Sequence, residues 1–314
     1  MSKPNKSSGA HIVRVDSDRA GQRLDNFLSA RLKGVPKSAI YRMIRTGQVR
    51  INGGRCKAAS RLEEGDEVRV PPARTRERGE FIVSDAVCRQ VEDALLFEDQ
   101  DLLIFNKPSG MAVHSGSGLP WGLIDVVRQT RPGEFVELVH RLDRETSGCL
   151  VLARSGAVLT HLAAQFRDGQ VNKRYLCLMN GVLNEAVVEV DAPLRKVESG
   201  AQSQVEVCED GKPALTRFYL LQAFRDCCYA EVELFTGRTH QIRAHAKFIG
   251  LPLAGDDRYA GRESIKKWKK RGLGRIFLHA HRLELDTVSG ERLSVDAPLP
   301  DSLRKVLDGL EVTG

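Results

Sequence analysis

Apolar positions near the start of the chain recur at the three- to four-residue spacing of two short helices. The two sets are Leu24, Phe27, Leu28 and Leu32, followed by Ile40, Met43 and Ile44. After the second set, apolar and polar residues alternate into Asn52-Gly53, a dipeptide typical of hairpin turns, and alternate again in DEVRVPP. The pattern predicts a compact helix-helix-hairpin domain over residues 12–72.

Two polar segments flank this domain. Residues 1–11 begin with MSKPNKSSGA, which is rich in Ser, Lys and Pro and offers nothing to bury, so we expect a disordered tail. Residues 73–90 open with a Pro-, Arg- and Glu-rich sequence and are predicted to form a linker. A second and larger domain is expected over residues 91–314.

The second domain repeats short apolar runs of strand-like composition. They include ALLFEDQDLLIF around an acidic turn, RYLCLMNG, TRFYLLQAF and CCYAEVELF, with few long helices between them. One helix stands out within TGRTHQIRAHAKFIG, with Thr239 as the expected cap and Gly250 as the stop. Recurrent strands with few helices favour a mixed, largely antiparallel sheet over a doubly wound parallel one, so the predicted fold class is α+β.

The polar cluster HRLDRETSG, residues 140–148, lies between the apolar runs FVELV and CLVLA. If the first run continues as a strand, Arg141 and Asp143 project from the same face. A rigid scaffold would then present a carboxylate beside a guanidinium, which favours a functional site over a solvated turn.

The composition is that of a soluble globular protein, with 41% hydrophobic and 28% charged residues. No apolar run approaches the roughly 20 residues that cross a bilayer, and the first residues lack the apolar core of a signal peptide. The seven cysteines are scattered without a C-x-x-C pair, which favours reduced thiols over disulfides or a zinc site. We therefore expect a cytoplasmic protein, and a monomer.

Positive charge is concentrated at the front of the chain. Residues 1–90 hold 19 basic and 10 acidic side chains, although the whole chain carries a net charge of only +7. No acidic residue lies between Asn26 and Leu62, and a surface of one sign implies an anionic partner such as nucleic acid. The predicted phosphate-binding residues are Arg31, Lys33, Lys37, Arg42, Arg45, Arg50, Arg55 and Lys57.

Common catalytic signatures are missing from the sequence, which has no Walker A loop, G-x-S-x-G elbow, H-E-x-x-H pair or dinucleotide-binding glycine motif. Neither a metal nor a cofactor is expected. What remains is Asp143, with Arg141 and Arg243 as candidate cationic partners that would keep the carboxylate ionised. An ionised carboxylate in a cleft can attack an anomeric carbon, so the chemistry of a riboside is open to it.

Three motifs in order, NKPSGMAVHSG, HRLDRETSG and FTGRTHQIRAH, resemble those of the RluA-type pseudouridine synthases. The front domain resembles the RNA-binding fold named after ribosomal small-subunit protein four, so the resemblance covers nearly the whole chain. It implies a pseudouridine synthase fold and the isomerisation of uridine to pseudouridine without metal or cofactor. Within the family, LKGVPKSAIYRMIRTGQVRING is most similar to bacterial enzymes of large-subunit ribosomal RNA, which implies that RNA as the partner and more than one target uridine.

The resemblance also implies roles for four residues. Asp143 corresponds to the family's catalytic aspartate and Arg243 to the arginine that pairs with it. Arg141 matches the arginine that enters the RNA stack as the uridine flips out, and Tyr175, in NKRYLCLMNG, matches the tyrosine that stacks on the target base. Whether Asp143 attacks the sugar, attacks the ring or removes a sugar proton stays open.

Two other classes of function compete with this interpretation. The front domain alone would permit a non-catalytic RNA-binding protein, although a second domain with an intact HRLDRETSG disfavours it. A nucleoside or glycoside hydrolase could use Asp143, but most glycosidases need a second carboxylate, and Glu145 is the only neighbour in sequence. An assay for free uracil separates hydrolysis from isomerisation.

Overall fold

The computed structural model describes residues 9–32, 35–72, 82–115, 119–199 and 202–311. The main division of the chain into two compact units falls between Ile82 and Val83. Residues 1–8 of the predicted tail and residues 73–81 of the predicted linker lie outside the described residues.

The first unit combines two helices with three short strands. Its elements are β1 (His11–Arg14), a turn of 3-10 helix (Ser17–Arg19), α1 (Leu24–Arg31), α2 (Lys37–Arg45), β2 (Arg50–Ile51) and β3 (Glu67–Val70). The strands form an antiparallel sheet of order β1-β3-β2, and both predicted helices are confirmed, each packing its apolar stripe into one core with the sheet. The sequence pattern missed β1, which pairs with β3.

The predicted Asn52-Gly53 turn is also confirmed. Both residues have left-handed backbones, with φ of 49° and 76°, and Gly54 N donates a hydrogen bond to Ile51 O at 2.8 Å. Asn and Gly adopt this conformation at least cost, which is why the dipeptide marks the turn.

The second unit contains both long strands and helices. Its elements are α3 (Asp85–Glu92), β4 (Leu95–Glu98), β5 (Leu102–Lys107), α4 (Leu123–Thr130), β6 (Glu137–Leu138), β7 (Ser147–Ala153), α5 (Gly156–Asp168), β8 (Asn172–Asn180), β9 (Val187–Asp191), β10 (Leu194–Ser199), β11 (Gln202–Val207), β12 (Leu215–Ala223), β13 (Cys227–Leu234), α6 (Gln241–Phe248), α7 (Gly261–Lys270), β14 (Leu278–Asp286), β15 (Arg292–Asp296) and α8 (Asp301–Asp308). Residues 85–90, predicted to belong to the linker, instead lie in α3, and Cys88 and Val91 of that helix are buried in the core. The apolar runs also gave no sign of α5, which is 13 residues long.

One large sheet organises this unit, in the order β4-β5-β7-β14-β8-β13-β12-β9, with β6 paired to β7 and β15 paired to β14. β7 and β14 are parallel, and the other described pairs are antiparallel. The predicted α+β class with a mixed, largely antiparallel sheet is therefore confirmed. β14 comes from the end of the chain but lies between β7 and β8, where His279 pairs with Ser147 on one side and Leu278 with Cys177 on the other.

Helices cover both faces of the sheet. On the half that contains β5 and β7, α3 and α4 pack on one face and α5 on the other, so both faces of these strands are buried. Burial on both faces explains why LLIF and CLVLA are continuously apolar. On the half that contains β8 and β13, α6 packs on one face and α7 and α8 on the other. No described helix is long and apolar enough to cross a bilayer.

Candidate active site and RNA-binding surface

HRLDRETSG begins as an irregular loop and not as a continuation of the preceding strand, so that prediction is wrong: β6 ends at Leu138. Side chains hold the loop in place of a strand ladder. His140 stacks on Phe166 with ring centroids 4.4 Å apart, and its Nε2 accepts a hydrogen bond from Val151 N at 3.1 Å. Burial lowers the pKa of His140 to about 3, so the ring is a neutral anchor. Leu142 is buried in the core beside α4.

Arg141 and Asp143 line a common cavity of about 310 Å³, which His140 and Leu142 also line. Arg141 and Asp143 therefore meet at one cavity, but strand alternation does not separate them from His140 and Leu142. Asp143 retains 28% of its side-chain exposure, and Arg141 is exposed. The two do not form an ion pair in the described structure, so Arg141 is not the cationic partner of Asp143.

The turn after Asp143 is braced by the motif NKPSGMAVH. Lys107 is fully buried at the end of β5, and its Nζ donates to Pro108 O at 2.9 Å, Met111 O at 2.8 Å and Arg144 O at 3.0 Å. Burial lowers the pKa of Lys107 to about 7. Because its three donors are used by backbone carbonyls, this lysine holds two loops together and does not face the cavity.

The last residues of HRLDRETSG fix the loop to β14. Gly148 has a φ of +116°, and a Cβ there would lie 2.2 Å from Ala280 O, so only glycine fits. Ser147 Oγ shares a hydrogen bond with His279 Nδ1 at 2.9 Å and accepts another from Arg275 Nη2 at 2.8 Å. Ser147 and Gly148 therefore allow the parallel strands β7 and β14 to lie close together.

The helix α6 supplies the opposite wall of the cavity. Thr239 is not its cap, so that prediction is wrong: His240 occupies the cap position with a left-handed φ of 53°, and its side chain makes no capping hydrogen bond. The buried Gln241 anchors the helix instead, since its Oε1 accepts from Arg238 N at 2.9 Å and its Nε2 donates to Thr216 Oγ1 at 2.9 Å. At the other end, the predicted stop at Gly250 has a left-handed φ of 78°.

Arg243 projects from α6 toward Asp143. Its Nη1 lies 3.8 Å from Asp143 Oδ2, so the predicted pair is confirmed as a contact between charges that is longer than a hydrogen bond. Its main partner is Asp256, which is fully buried and accepts from Nε at 2.7 Å and from Nη2 at 2.6 Å. Burial opposes the charge of the guanidinium, but the hydrogen bonds with Asp256 outweigh it and raise the pKa of Arg243. The bidentate pair fixes the plane of the guanidinium beside Asp143.

The cavity brings all four sequence-predicted residues together, since Tyr175 and Arg243 line it with Arg141 and Asp143. Tyr175 comes from β8, and burial together with the charge of Asp143 raises its pKa. Apolar side chains and three basic ones complete the lining: Leu142, Phe166, Leu234, Ile242 and Leu278, with the exposed Arg167 and Arg238 and the buried Lys173. Asp143 is the only carboxylate among the described residues that line this cavity, whereas Glu145 and Asp257 line an adjoining cleft of about 730 Å³ that also contains Asp143. The cavity of about 310 Å³ lies at the low end of small-ligand sites, which hold roughly 300–1,000 Å³.

Sequence reasoning missed two members of the site. His240 Nε2 lies 3.6 Å from Asp143 Oδ2, and Asp256 holds Arg243. His240 stands within FTGRTHQIRAH, so its motif marked it, but its approach to Asp143 depends on a left-handed backbone that spacing does not reveal. Asp256 lies in a loop 13 residues after Arg243, beyond the reach of any local pattern.

The predicted phosphate-binding residues of the first unit lie at its surface. Lys33 lies outside the described residues, and the other seven are exposed or, for Arg50, half-buried. In the described part of the unit none of the seven pairs with a carboxylate. On α2, Arg42 and Arg45 lie away from the buried Ile40 and Ile44, whereas Lys37 lies on the same face as these residues and is exposed at the first turn of the helix.

Comparisons with known proteins extend this picture to nearly the whole chain. The RNA pseudouridylate synthase model matches residues 101–248, and the S4 domain model matches residues 22–68. The chain is 46% identical over 301 residues to the ribosomal large subunit pseudouridine synthase C of Yersinia pestis, which covers 94% of both chains. It is 45% identical over 307 residues to the protein of the same name from Escherichia coli O157:H7, covering 95% of this chain and 96% of the relative.

The comparison with solved structures agrees with the sequence comparison. Human RNA pseudouridylate synthase domain containing 4 matches with a TM-score of 0.60 and 26% identity, over 73% of this chain and 98% of that chain. The loop that carries Asp143, the strand that carries Tyr175 and the helix that carries Arg243 all lie within the matched residues 101–248. The chain belongs to the RNA pseudouridylate synthase family, and it carries an S4 domain in front of the synthase domain.

Proposed function

We propose that this protein isomerises uridines of large-subunit ribosomal RNA to pseudouridine, at more than one position, with Asp143 as the reacting carboxylate. The substrate follows the relatives that carry this activity in their names and that match this chain over 94% or more of its length. The S4 domain supports an RNA substrate independently. The reaction itself needs no net addition of atoms: the bond from ribose C1′ to uracil N1 breaks, the base turns, C5 bonds to C1′, and the proton that C5 loses is balanced by one that N1 gains.

The observation that carries the proposal is that a carboxylate, its arginine neighbour and a tyrosine, all from the matched synthase domain, line one cavity. A glycosidase of the usual kind needs two carboxyl groups that flank the scissile bond, one as nucleophile or base and one as acid. The 310 Å³ cavity offers Asp143 alone, but Glu145 and Asp257 line an adjoining cleft together with Asp143. The number of carboxylates therefore does not separate hydrolysis from isomerisation, and it is the match of the site to the RNA pseudouridylate synthase family that favours isomerisation.

The other residues have roles that follow the family resemblance. Arg141 is exposed at the mouth of the cavity, where it is free to enter the space that a flipped uridine leaves. Tyr175 presents a half-buried ring to the same cavity, where a base can stack on it. Flipping costs a few kcal/mol, and phosphate contacts of the exposed cations in the first unit offset that cost.

Mapping pseudouridines in cellular RNA tests the proposal most directly. Ribosomal and transfer RNA from cells with the gene, without it, and complemented with either wild type or Asp143→Asn are compared position by position. We expect several large-subunit positions to lose pseudouridine without the gene and to regain it only with wild type. Loss confined to transfer RNA would overturn the substrate, and release of free uracil by the purified protein would replace isomerisation with hydrolysis.

Two further expectations accompany the proposed function. An enzyme that acts on ribosomal RNA is expected in the cytoplasm. The site is also complete within one chain, because Asp143, Tyr175, His240 and Arg243 all line one cavity of the second unit, and this supports a monomer. Sedimentation of the purified protein checks the second expectation.

A further inference from the structure

His240 is the residue of the site whose role the family resemblance leaves unassigned. Its ring is 10% exposed and lies between Asp143 and Tyr259, with Nε2 3.6 Å from Asp143 Oδ2 and Nδ1 3.1 Å from Tyr259 Oη. Its backbone is left-handed, a conformation that is uncommon for residues other than glycine, although His, Asn and Asp adopt it more often than the rest. Strain of this kind persists where surrounding contacts fix it, and it often accompanies function.

The hydrogen-bond donors around Tyr259 determine which nitrogen of His240 carries the proton. Val205 N, in β11, donates to Tyr259 Oη at 2.9 Å, so that oxygen already accepts one hydrogen bond. The phenol has a single proton, and His240 Nδ1 is the acceptor within reach. If Nδ1 carried the hydrogen instead, the phenol proton would have no acceptor among the described residues. The hydrogen bonds are satisfied when Tyr259 donates to a bare Nδ1.

The other side of the ring selects the same tautomer. An ionised carboxylate only accepts hydrogen bonds, so Asp143 Oδ2 favours a proton on the nitrogen that faces it, Nε2. Burial and the charges of Arg243 and Arg258 lower the pKa of His240, while Asp143 and Asp256 oppose them. The lowered pKa keeps the ring neutral at physiological pH, with its one proton on Nε2.

We infer that His240 is a positioning residue for Asp143, held by Tyr259 as the neutral tautomer that donates from Nε2 to Oδ2. Arg243 Nη1 approaches the same oxygen, and no described residue donates a hydrogen bond to Oδ1. We therefore expect Oδ1 to be the oxygen that reacts. Both contacts to Oδ2 are longer than hydrogen bonds, and catalytic contacts of this kind shorten when substrate fills the site. Because Nε2 already carries a proton and Nδ1 already accepts the hydrogen bond from Tyr259, His240 is not the general base.

Two substitutions of His240 separate positioning from packing. In His240→Gln the amide nitrogen falls near the place of Nε2, whereas in His240→Asn it falls near the place of Nδ1, and Asn tolerates the left-handed backbone well. We expect Asn to lower kcat by ~10- to 100-fold with little change in KM, the size of loss seen when groups that orient a site are removed, and Gln to restore a large part of it. Equal kcat values for the two variants would overturn the inference.

Nitrogen NMR of protein labelled at its histidines reads the tautomer directly. We expect the resonances of His240, assigned by their loss in His240→Gln, to show a protonated Nε2 and a bare Nδ1 at pH 7. Tyr259→Phe, which keeps the ring that Arg243 stacks against at 5.0 Å, should give a mixture of tautomers and move the acid limb of the activity profile. Tyr219→Phe is the matched control, because its hydroxyl bonds Glu233 at 2.7 Å, does not line the cavity, and should alter neither.

The role of Oδ1 in the reaction rests on the proposed function, whereas the tautomer of His240 does not depend on it. Failure of the wild-type protein to form pseudouridine on any RNA would remove the proposed function and leave the tautomer measurement intact. A proton on Nδ1, or an imidazolium at pH 7, would overturn the inference even in an active synthase.

Discussion

The exposed cations of the first unit and the buried Arg243 of the second use positive charge in opposite ways. In the first unit the predicted RNA-binding cations stand at the surface without carboxylate partners in its described part, as on the outer side of α2. In the second unit Arg243 is 7% exposed and directs its donors to Asp256 and Asp143. Exposed charge attracts a polyanion from a distance and is screened by salt, whereas a buried and hydrogen-bonded charge fixes the place of one group. The difference predicts that substitutions in the two units separate RNA affinity from chemistry and stability.

The largest effect is expected from Asp143→Asn. The amide keeps the shape of the side chain but cannot act as an anion, so the rate of pseudouridine formation should fall by more than ~10³-fold. Because the side chain is partly exposed, the free energy of unfolding should change by less than about 1 kcal/mol, and RNA affinity should stay near that of wild type. Single-turnover assays with saturating enzyme check the rate, and appreciable turnover would remove Asp143 from the centre of the reaction.

Arg243→Met should damage both activity and stability. It leaves the fully buried carboxylate of Asp256 without its cation, a loss that typically costs about 3–5 kcal/mol. The double variant Arg243→Met/Asp256→Asn removes the orphaned charge while Asn still accepts from the backbone N–H of Arg258 and Tyr259, so it should regain stability but not activity. Chemical denaturation and rate measurements on wild type, the single variant and the double variant test both expectations. Recovery of activity in the double variant would mean that Asp143 does not need Arg243.

Arg42→Gln/Arg45→Gln tests the exposed charge of the first unit. Because neither arginine has a carboxylate partner in the described structure, stability should change by less than about 1 kcal/mol. RNA affinity should fall, and the slope of log affinity against log salt should become shallower by ~0.7 to 0.9 for each phosphate that the variant no longer neutralises. The matched control is Arg282→Gln, an exposed arginine of the second unit that pairs with Asp296 at 2.6 Å. An unchanged slope would show that α2 presents a solvated face and not an RNA surface.

The smallest effect concerns Asp25, a nearly buried carboxylate that the first unit does keep in an ion pair, with Arg23 at 2.7 Å. Its hydrogen bond with Arg23 lowers the pKa of Asp25 to about 2, below the ~3.9 of an unfolded chain. Its contribution to stability is therefore present above about pH 4 and is lost as the pH falls through 2. Asp25→Asn should flatten the acid limb of the unfolding curve of this unit, measured from its own amides by NMR, and the exposed Asp18→Asn should not. Equal curves for wild type and Asp25→Asn would show that the pair adds nothing.

Most strands and the two helices of the first unit could be predicted from the sequence because the local spacing of their apolar residues marks them. So could the meeting of Asp143, Arg141, Tyr175 and Arg243, which the motifs imply and one cavity unites. The conformation of the loop around Asp143 could not be predicted from the sequence, because His140 and Leu142 hold the loop through contacts with distant elements.

The contacts of His240 and Arg243 and the order of the strands also could not be predicted, because they depend on distant residues or on a single backbone angle. The approach of His240 to Asp143 depends on one backbone dihedral, and the support of Arg243 comes from Asp256 in a later loop. The order of the sheet depends on pairing between residues more than a hundred positions apart, as for Ser147 and His279. Periodicity records which face of an element is buried but not what it is buried against.

The central position of β14 has a consequence for how the enzyme comes into being on the ribosome. Asp143 belongs to the half of the sheet built on β5 and β7, and Tyr175 and Arg243 belong to the half built on β8 and β13; Leu278–Asp286 is the strand that joins them. Until synthesis has passed this strand, the two halves have exposed edges and nothing aligns the cavity. The S4 domain is synthesised long before this strand. The first unit can therefore fold well before the catalytic cavity can, so the two units become complete at different stages of translation.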